Sequence, residues 1–212
     1  MPRLARENTL RSFALALDAG ADAIELDVHC SADGVPVVHH DAAFPDGTPV
    51  ASLTADQLAR RDATAETGVP TLAATCSLVG HRATLLVEIK APAIEAQVLA
   101  VLNDHEGRAA VHSFDHELIA RVHALDPTMR VGVLLDEGTI WSAAAVHALM
   151  QRTEALDVWP HHSLVTAELV QAVHSANGRV LAWTVNELDL AERLARAGVD
   201  GLCSDDVRLL PR

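Results

Sequence analysis

Two short runs concentrate the side chains that could do chemistry. AIELDVH, Ala23 to His29, sets Glu25 and Asp27 two residues apart, and VPVVHHD, Val35 to Asp41, brings His39, His40 and Asp41 one tight turn later. In the first run Ile24, Leu26 and Val28 alternate with Glu25, Asp27 and His29, so an extended strand packs one face and turns the polar groups to the other. Two carboxylates on one face repel each other. They are solvated strand ends, or they have arginine partners, or a divalent cation makes their company tolerable.

A third run favours the cation. LLVEIK, Leu85 to Lys90, places Leu86, Glu88 and Lys90 on one face of another strand, offering a third carboxylate and an ammonium. Three carboxylates suit Mg²⁺ or Ca²⁺, which prefer hard oxygen ligands, and Lys90 suits a phosphate oxygen. An imidazole of His39 or His40 beside carboxylates titrates near neutral pH and could act as general acid or base. The chain holds 12 histidines, however, and most must be surface residues.

These groups need a frame, and the pattern supplies one. Strand-like runs at 23–29, 85–90, 109–114, 130–135, 155–160, 179–185 and from 201 onward alternate with helical patterns, and from 85–90 on they recur at intervals of roughly 20 to 25 residues. Helices are expected from about Asn8, over 166–177 and over 187–197, with Gly20, Gly178 and Gly198 after them. Equal βα units predict an α/β fold of the TIM-type barrel class, its active face at the C-terminal ends of the strands. Seven strands are found where a barrel needs eight, and the first is the one that is missing. A doubly wound sheet of seven strands is the alternative. PVVHH lies too close to DVH for a helical crossover, and Asp33-Gly34 signals a tight turn, so it reads as the return arm of a hairpin. That hairpin opens an excursion over about 29–70, expected to cap the barrel mouth.

Composition narrows the partners. At 212 residues and 50% apolar content the chain is expected to form one domain, 1–212. Its 16 basic against 29 acidic side chains give a net charge of -13, which disfavours nucleic acid and anionic membrane surfaces. No apolar run suggests membrane insertion, and Cys30, Cys76 and Cys203 form neither a disulfide framework nor a metal knuckle. A cytoplasmic protein acting on a small molecule is expected, with homo-oligomerisation open.

The run ENTLRSFALALDAGADAIELDVHCSADGVPVVHHD, Glu7 to Asp41, resembles the signature region of the glycerophosphodiester phosphodiesterase family. VPTL at 69–72, VEIK at 87–90, HSFD at 112–115, AWTVN at 182–186 and GVDGLCSD at 198–205 match in order, so the resemblance covers essentially the whole chain. It implies a TIM barrel with a small insertion after the ELD strand and metal-dependent hydrolysis of glycerophosphodiesters to glycerol phosphate and an alcohol. By position it implies Glu25, Asp27 and Glu88 as metal ligands and His40 as the acid for the leaving alcohol. Lys90 and Trp183 would then contact substrate, and Glu7 would support the metal-binding face.

The chain departs from the family in two places, and one is the insertion, where HDAAFPDGTPVASLT lacks the longer basic and Thr-rich segment many relatives carry after HD, which leaves the leaving group open. Relatives carry a second histidine in an HRG motif a little before ENT, whereas MPRLAR precedes ENT here. The missing motif coincides with the missing strand, so a truncated or inactive homologue that binds metal or phosphodiester without turnover is the alternative. A barrel lyase using Lys90 as base is a further reading. Trp141 and Trp159 are expected to pack, His112 and His174 to be interior or surface residues, and Cys203 to fill the core as a small side chain.

Overall fold

The computed structural model describes residues 1–61 and 68–210. Cα proximity divides the chain into two compact units, Met1–Ala110 and Val111–Arg212. Each repeats the strand-then-helix order of a TIM-type (β/α) fold, as the pattern predicts.

The first unit opens with turns and then α1, Leu10–Asp18. The helix starts later than Asn8 because Thr9 is the cap: its hydroxyl accepts from Ser12 N–H at 3.2 Å, and the Ser12 hydroxyl accepts from Thr9 N–H. Strand β1, Ala23–Cys30, buries Ile24, Leu26 and Val28, the apolar half of the AIELDVH alternation. It pairs antiparallel with β2, Pro36–Val38, with Val28 opposite Val38 and Cys30 opposite Pro36. At the turn Gly34 takes φ 79°, and Ser31 Oγ accepts from Val35 N–H at 2.9 Å, so DG makes the hairpin that its residues demand.

The excursion that follows has a core of its own. Val37, Phe44, Val50, Leu58 and Val69 pack together, with Leu53 and Ala55 against them, and α2, Ala55–Arg60, supplies Leu58. Val38 N–H donates to Pro70 O at 2.8 Å, closing the excursion where it began. Residues 62–67, part of the 29–70 span expected for it, lie outside the described residues.

Helix α3, Leu72–Val79, leads to β3, Thr84–Ile89, which runs parallel to β1 with Glu25 opposite Leu86 and Asp27 opposite Glu88. Sheet order here is β2-β1-β3. Helix α4, Glu95–Asn103, completes the unit, and β4, Ala109–Ser113, straddles the division.

The second unit continues with α5 (His116–Leu125), β5 (Arg130–Leu135), α6 (Ala143–Thr153), β6 (Asp157–Pro160), α7 (Ala167–Ser175), β7 (Arg179–Ala182), α8 (Leu188–Ala197) and β8 (Gly201–Leu202). Its strands lie in chain order, β4-β5-β6-β7-β8, and the last four are joined by parallel pairings. Among the described residues, seven strands follow the repeat and β2 is the extra hairpin arm. The run expected as a strand to 185 stops at Ala182, beyond which Trp183 keeps only an isolated parallel bridge to His161; Val185 N–H donates to Cys203 O at 2.8 Å. Trp159 is buried and stacked on His112 at 4.4 Å, the packing role expected of it, whereas Cys203 is half-buried and not a core residue. No helix among the described residues is long and apolar enough to cross a membrane.

One ionic cluster locks the start of three of these strands. Asp157 is 1% exposed and accepts two hydrogen bonds from Arg130, at 2.8 and 2.6 Å, and two from Arg179, at 2.9 and 3.0 Å. Burial would raise its carboxyl, but the two guanidiniums outweigh that and hold it below the ordinary aspartate range. Its stabilisation is therefore present above that range and lost as acid takes the pH down through the folded value. Asp157→Asn, which leaves two guanidiniums facing a neutral amide, should lower unfolding stability in urea by about 3–5 kcal/mol at neutral pH. A change below about 0.5 kcal/mol, the size of an ordinary surface substitution, would show that the cluster is not what holds these strands.

Candidate metal and acid-base site

The register of β1 and β3 decides the site. Paired residues on adjacent strands share a face, so Asp27 and Glu88 meet side by side, with Glu25 one step earlier and Lys90 one step later. Lys90 Nζ lies 3.1 Å from Asp27 Oδ1 and 2.8 Å from Glu88 Oε1, and the two carboxylates are only 7% and 9% exposed. A Glu25 carboxylate oxygen comes within 4.8 Å of one from Glu88. The structure thus brings together all four residues that the two strands were expected to offer.

One ammonium against three carboxylates leaves an excess of negative charge. Glu25 registers it: burial first, then the charge of Asp27, pushes its carboxyl up to about 8, with Lys90 and His40 pulling the other way. Burial would lower Lys90, but Asp27 and Glu88 more than offset it and raise the ammonium above its ordinary value. Lys90 therefore stays charged at neutral pH, which disfavours the lyase reading in which it acts as base.

The donors fit a hard divalent cation. Carboxylate oxygens from Glu25, Asp27 and Glu88 match the preference of Mg²⁺ and Ca²⁺, and a positive charge there would oppose the burial and the Asp27 charge that raise Glu25.

Asn8 holds Asp27 in place. Its Nδ2 donates to Asp27 Oδ2 at 2.8 Å, and Asp27 N–H donates to Asn8 Oδ1 at 3.1 Å. Asn8 sits at φ 54°, a left-handed conformation that Asn tolerates better than most residues. Sequence reasoning chose its neighbour Glu7 for support. Glu7 is exposed and bears on the site through its field, as one of the charges that raise Glu25. The asparagine of ENT was the available signal.

The hairpin presents the histidines. His39 N–H donates to Asp27 O at 3.0 Å, which ties the start of HHD to the metal strand. The His29 ring is buried and meets His40 O through Nε2 at 3.1 Å, anchoring the backbone from which the His40 side chain projects. His40 itself is exposed, with Nδ1 2.8 Å from Asp41 Oδ1. Asp41 lies below the ordinary aspartate range, chiefly through this hydrogen bond, so its carboxylate accepts and Nδ1 must donate. Partial burial would lower His40, yet the bond to Asp41 and the charge of Asp27 outweigh it and leave the imidazole above its ordinary value.

Trp183 belongs to the second unit. Its Nε1 donates to Trp159 O at 2.9 Å, and its ring meets Phe114 and His161 edge-on at 5.6 and 5.3 Å. These contacts fix an aromatic group at the strand ends of that unit.

The model of the glycerophosphoryl diester phosphodiesterase family matches residues 1–209. A glycerophosphodiester phosphodiesterase of Caldanaerobacter subterraneus subsp. tengcongensis is 31% identical over 225 residues, covering 96% of this chain and 90% of the relative. A phosphodiesterase of Oleispira antarctica, solved with the product sn-glycerol-3-phosphate, gives a TM-score of 0.85 at 26% identity, covering 94% of this chain and 87% of its own. The glycerophosphodiester phosphodiesterase of Thermotoga maritima gives the same TM-score of 0.85 at 22% identity over 98% and 92%, a likeness of fold. With its family model spanning nearly every residue and its carboxylates gathered on paired strands, the chain belongs to the glycerophosphoryl diester phosphodiesterase family.

Proposed function

We propose that this chain hydrolyses glycerophosphodiesters to glycerol phosphate and an alcohol, using a divalent cation, Mg²⁺ or Ca²⁺, held by Glu25, Asp27 and Glu88. The observation that carries the reading is the in-register meeting of Asp27 and Glu88 beside Glu25, with Lys90 already in place. The product bound to the Oleispira antarctica relative supports the product class. The chain acts as one domain over 1–212, with the excursion of about 29–70 over the reacting groups.

When bound, the cation supplies positive charge to the phosphoryl oxygens. Lys90 adds a second positive group for one of them, and Trp183 packs against the substrate. Glu7 supports the metal-binding face at a distance, through its field. As a water oxygen bonds to phosphorus and the bond from the alcohol oxygen breaks, His40, its Nδ1 committed to Asp41, delivers a proton from Nε2 to the departing oxygen, and the proton the water loses returns to solvent. No disulfide joins Cys30, Cys76 and Cys203 among the described residues, which agrees with a reducing cytoplasmic setting.

Release of alcohol from glycerophosphodiesters by the 212-residue chain should require Mg²⁺ or Ca²⁺ and stop with EDTA. Cation binding with no turnover would instead support the binding-only alternative. His40→Ala should cost about 10²–10⁴ in kcat for an alkoxide leaving group and far less for p-nitrophenolate, which leaves without a proton. Equal losses on both would remove His40 from the role of acid. Because His40 is raised, activity on alkyl diesters should fall on the alkaline side of the ordinary histidine range, and this limb should vanish in the variant.

Glu25 makes a second test independent of turnover. With its carboxyl at about 8, it is protonated at pH 7 until a cation displaces the proton, so calorimetry in buffers of differing ionisation enthalpy should find about one proton released per ion. A raised acid binds protons in the folded state that the unfolded state has lost, so ion-free stability should fall between pH 5 and 8. Glu25→Gln should flatten that fall while abolishing cation binding. Asn8→Ala should weaken cation binding about 10- to 100-fold by freeing Asp27; unchanged affinity would show that the strand alone positions it.

A further inference from the structure

Hydrolysis asks for two proton movements, one onto the departing alcohol and one off the attacking water, and His40 answers only the first. Its neighbour His39 lies on the face that carries the carboxylates. In the hairpin of β1 and β2, Val28 stands opposite Val38 and His29 opposite Val37, so one step further Asp27 stands opposite His39. The bond from His39 N–H to Asp27 O at 3.0 Å continues that register. Directly opposite residues of an antiparallel pair project to the same side. Asp27 therefore has Glu88 beside it on β3 and His39 beside it on the hairpin arm. The electrostatics agree, since His29, the next residue along this face, feels the charges of His39, Asp27 and Lys90 together.

The His39 ring is held in one orientation. Its Nδ1 lies 2.8 Å from Asp41 O, a carbonyl oxygen that only accepts, so Nδ1 carries a hydrogen and the lone pair of the neutral ring is left on Nε2. Phe44, from the apolar core of the excursion, meets the ring at 4.9 Å. Asp41 thus orients both imidazoles, His39 through its carbonyl and His40 through its carboxylate. The carboxylate favours the charged ring that a proton donor needs, and the carbonyl fixes which nitrogen of the other ring is the acceptor.

We propose that His39 is the general base of the reaction. As the water oxygen bonds to phosphorus, Nε2 of His39 takes the proton that this oxygen loses and then passes it to solvent. The bond from phosphorus to the alcohol oxygen breaks, and His40 supplies the proton that the alcohol gains. One water is divided between the two products, and both rings return to their starting states by exchange with solvent. The inference rests on the phosphodiesterase reading and adds to it the residue that activates water.

Two variants separate this role from a structural one. His39→Asn keeps an amide donor where Nδ1 stands, so the loop stays tied to Asp41 O, but it has no basic nitrogen, whereas His39→Ala removes both. With Mg²⁺ or Ca²⁺ present, each should lose about 10²–10⁴ in kcat on glycerophosphocholine and on the p-nitrophenyl diester of glycerol phosphate alike, because both need an activated water. The loss in His40→Ala is by contrast confined largely to the choline diester. Cation affinity, measured by calorimetry, should change little in either His39 variant, and added imidazole should restore part of the activity of His39→Ala. A His39→Asn chain that turns over like the wild type, or losses confined to the choline diester, overturns the base. So does a loss that follows cation affinity and that imidazole does not rescue, since His39 would then only brace Asp27. A wild-type chain that hydrolyses neither diester overturns the phosphodiesterase reading and the base with it, an outcome distinct from hydrolysis that proceeds without His39.

Discussion

Like charges crowded at the end of two paired strands are the constraint around which the first unit is organised. Asp27 and Glu88 are nearly buried and face each other across β1 and β3, and Glu25 stands one step away. Lys90 answers part of that charge by bonding both partners, while burial first and then the charge of Asp27 raise the carboxyl of Glu25. A fold built only for stability would place apolar residues there, because an apolar replacement for buried ions is often neutral or stabilising. Retaining the carboxylates makes sense when a cation is part of the working state.

The chain uses a buried carboxylate differently in its second unit. Asp157 receives four hydrogen bonds from two arginines and its charge is fully answered. Its carboxyl is depressed, whereas that of Glu25 is elevated. The sign of the shift separates the two uses. A carboxylate flanked by two guanidiniums locks strand starts together, and one raised by burial beside a like charge marks a place where function is to be sought.

The excursion links packing to chemistry. A short hairpin could not by itself hold His40 against the entropy of an exposed loop. The cluster of Val37, Phe44, Val50, Leu58 and Val69 gives the excursion an apolar anchor, while His29 and the Asp27 backbone fix HHD from below. The same small core carries Phe44, over whose ring the Arg61 guanidinium lies.

Much of this was legible in the sequence. Alternation in AIELDVH and LLVEIK assigns the acids to one face, because a strand's side chains alternate with a period of two; Asp33-Gly34 writes its own turn; and the repeated βα spacing gives the fold class. The ordered family motifs carried the family itself. Strand ends were less legible, as at Ala182, where hydrogen bonds to distant segments replace the ladder.

Register was not legible, because sliding one strand by two residues keeps every side chain on its face and still changes which carboxylates meet. Nor was the choice between Glu7 and Asn8, which turns on one left-handed backbone angle and two hydrogen bonds to a residue 19 positions away. The sequence by itself determined which groups exist and which face they share. Only the tertiary structure decided their partners and distances, since long-range pairing and electrostatics depend on neighbours that local pattern does not name.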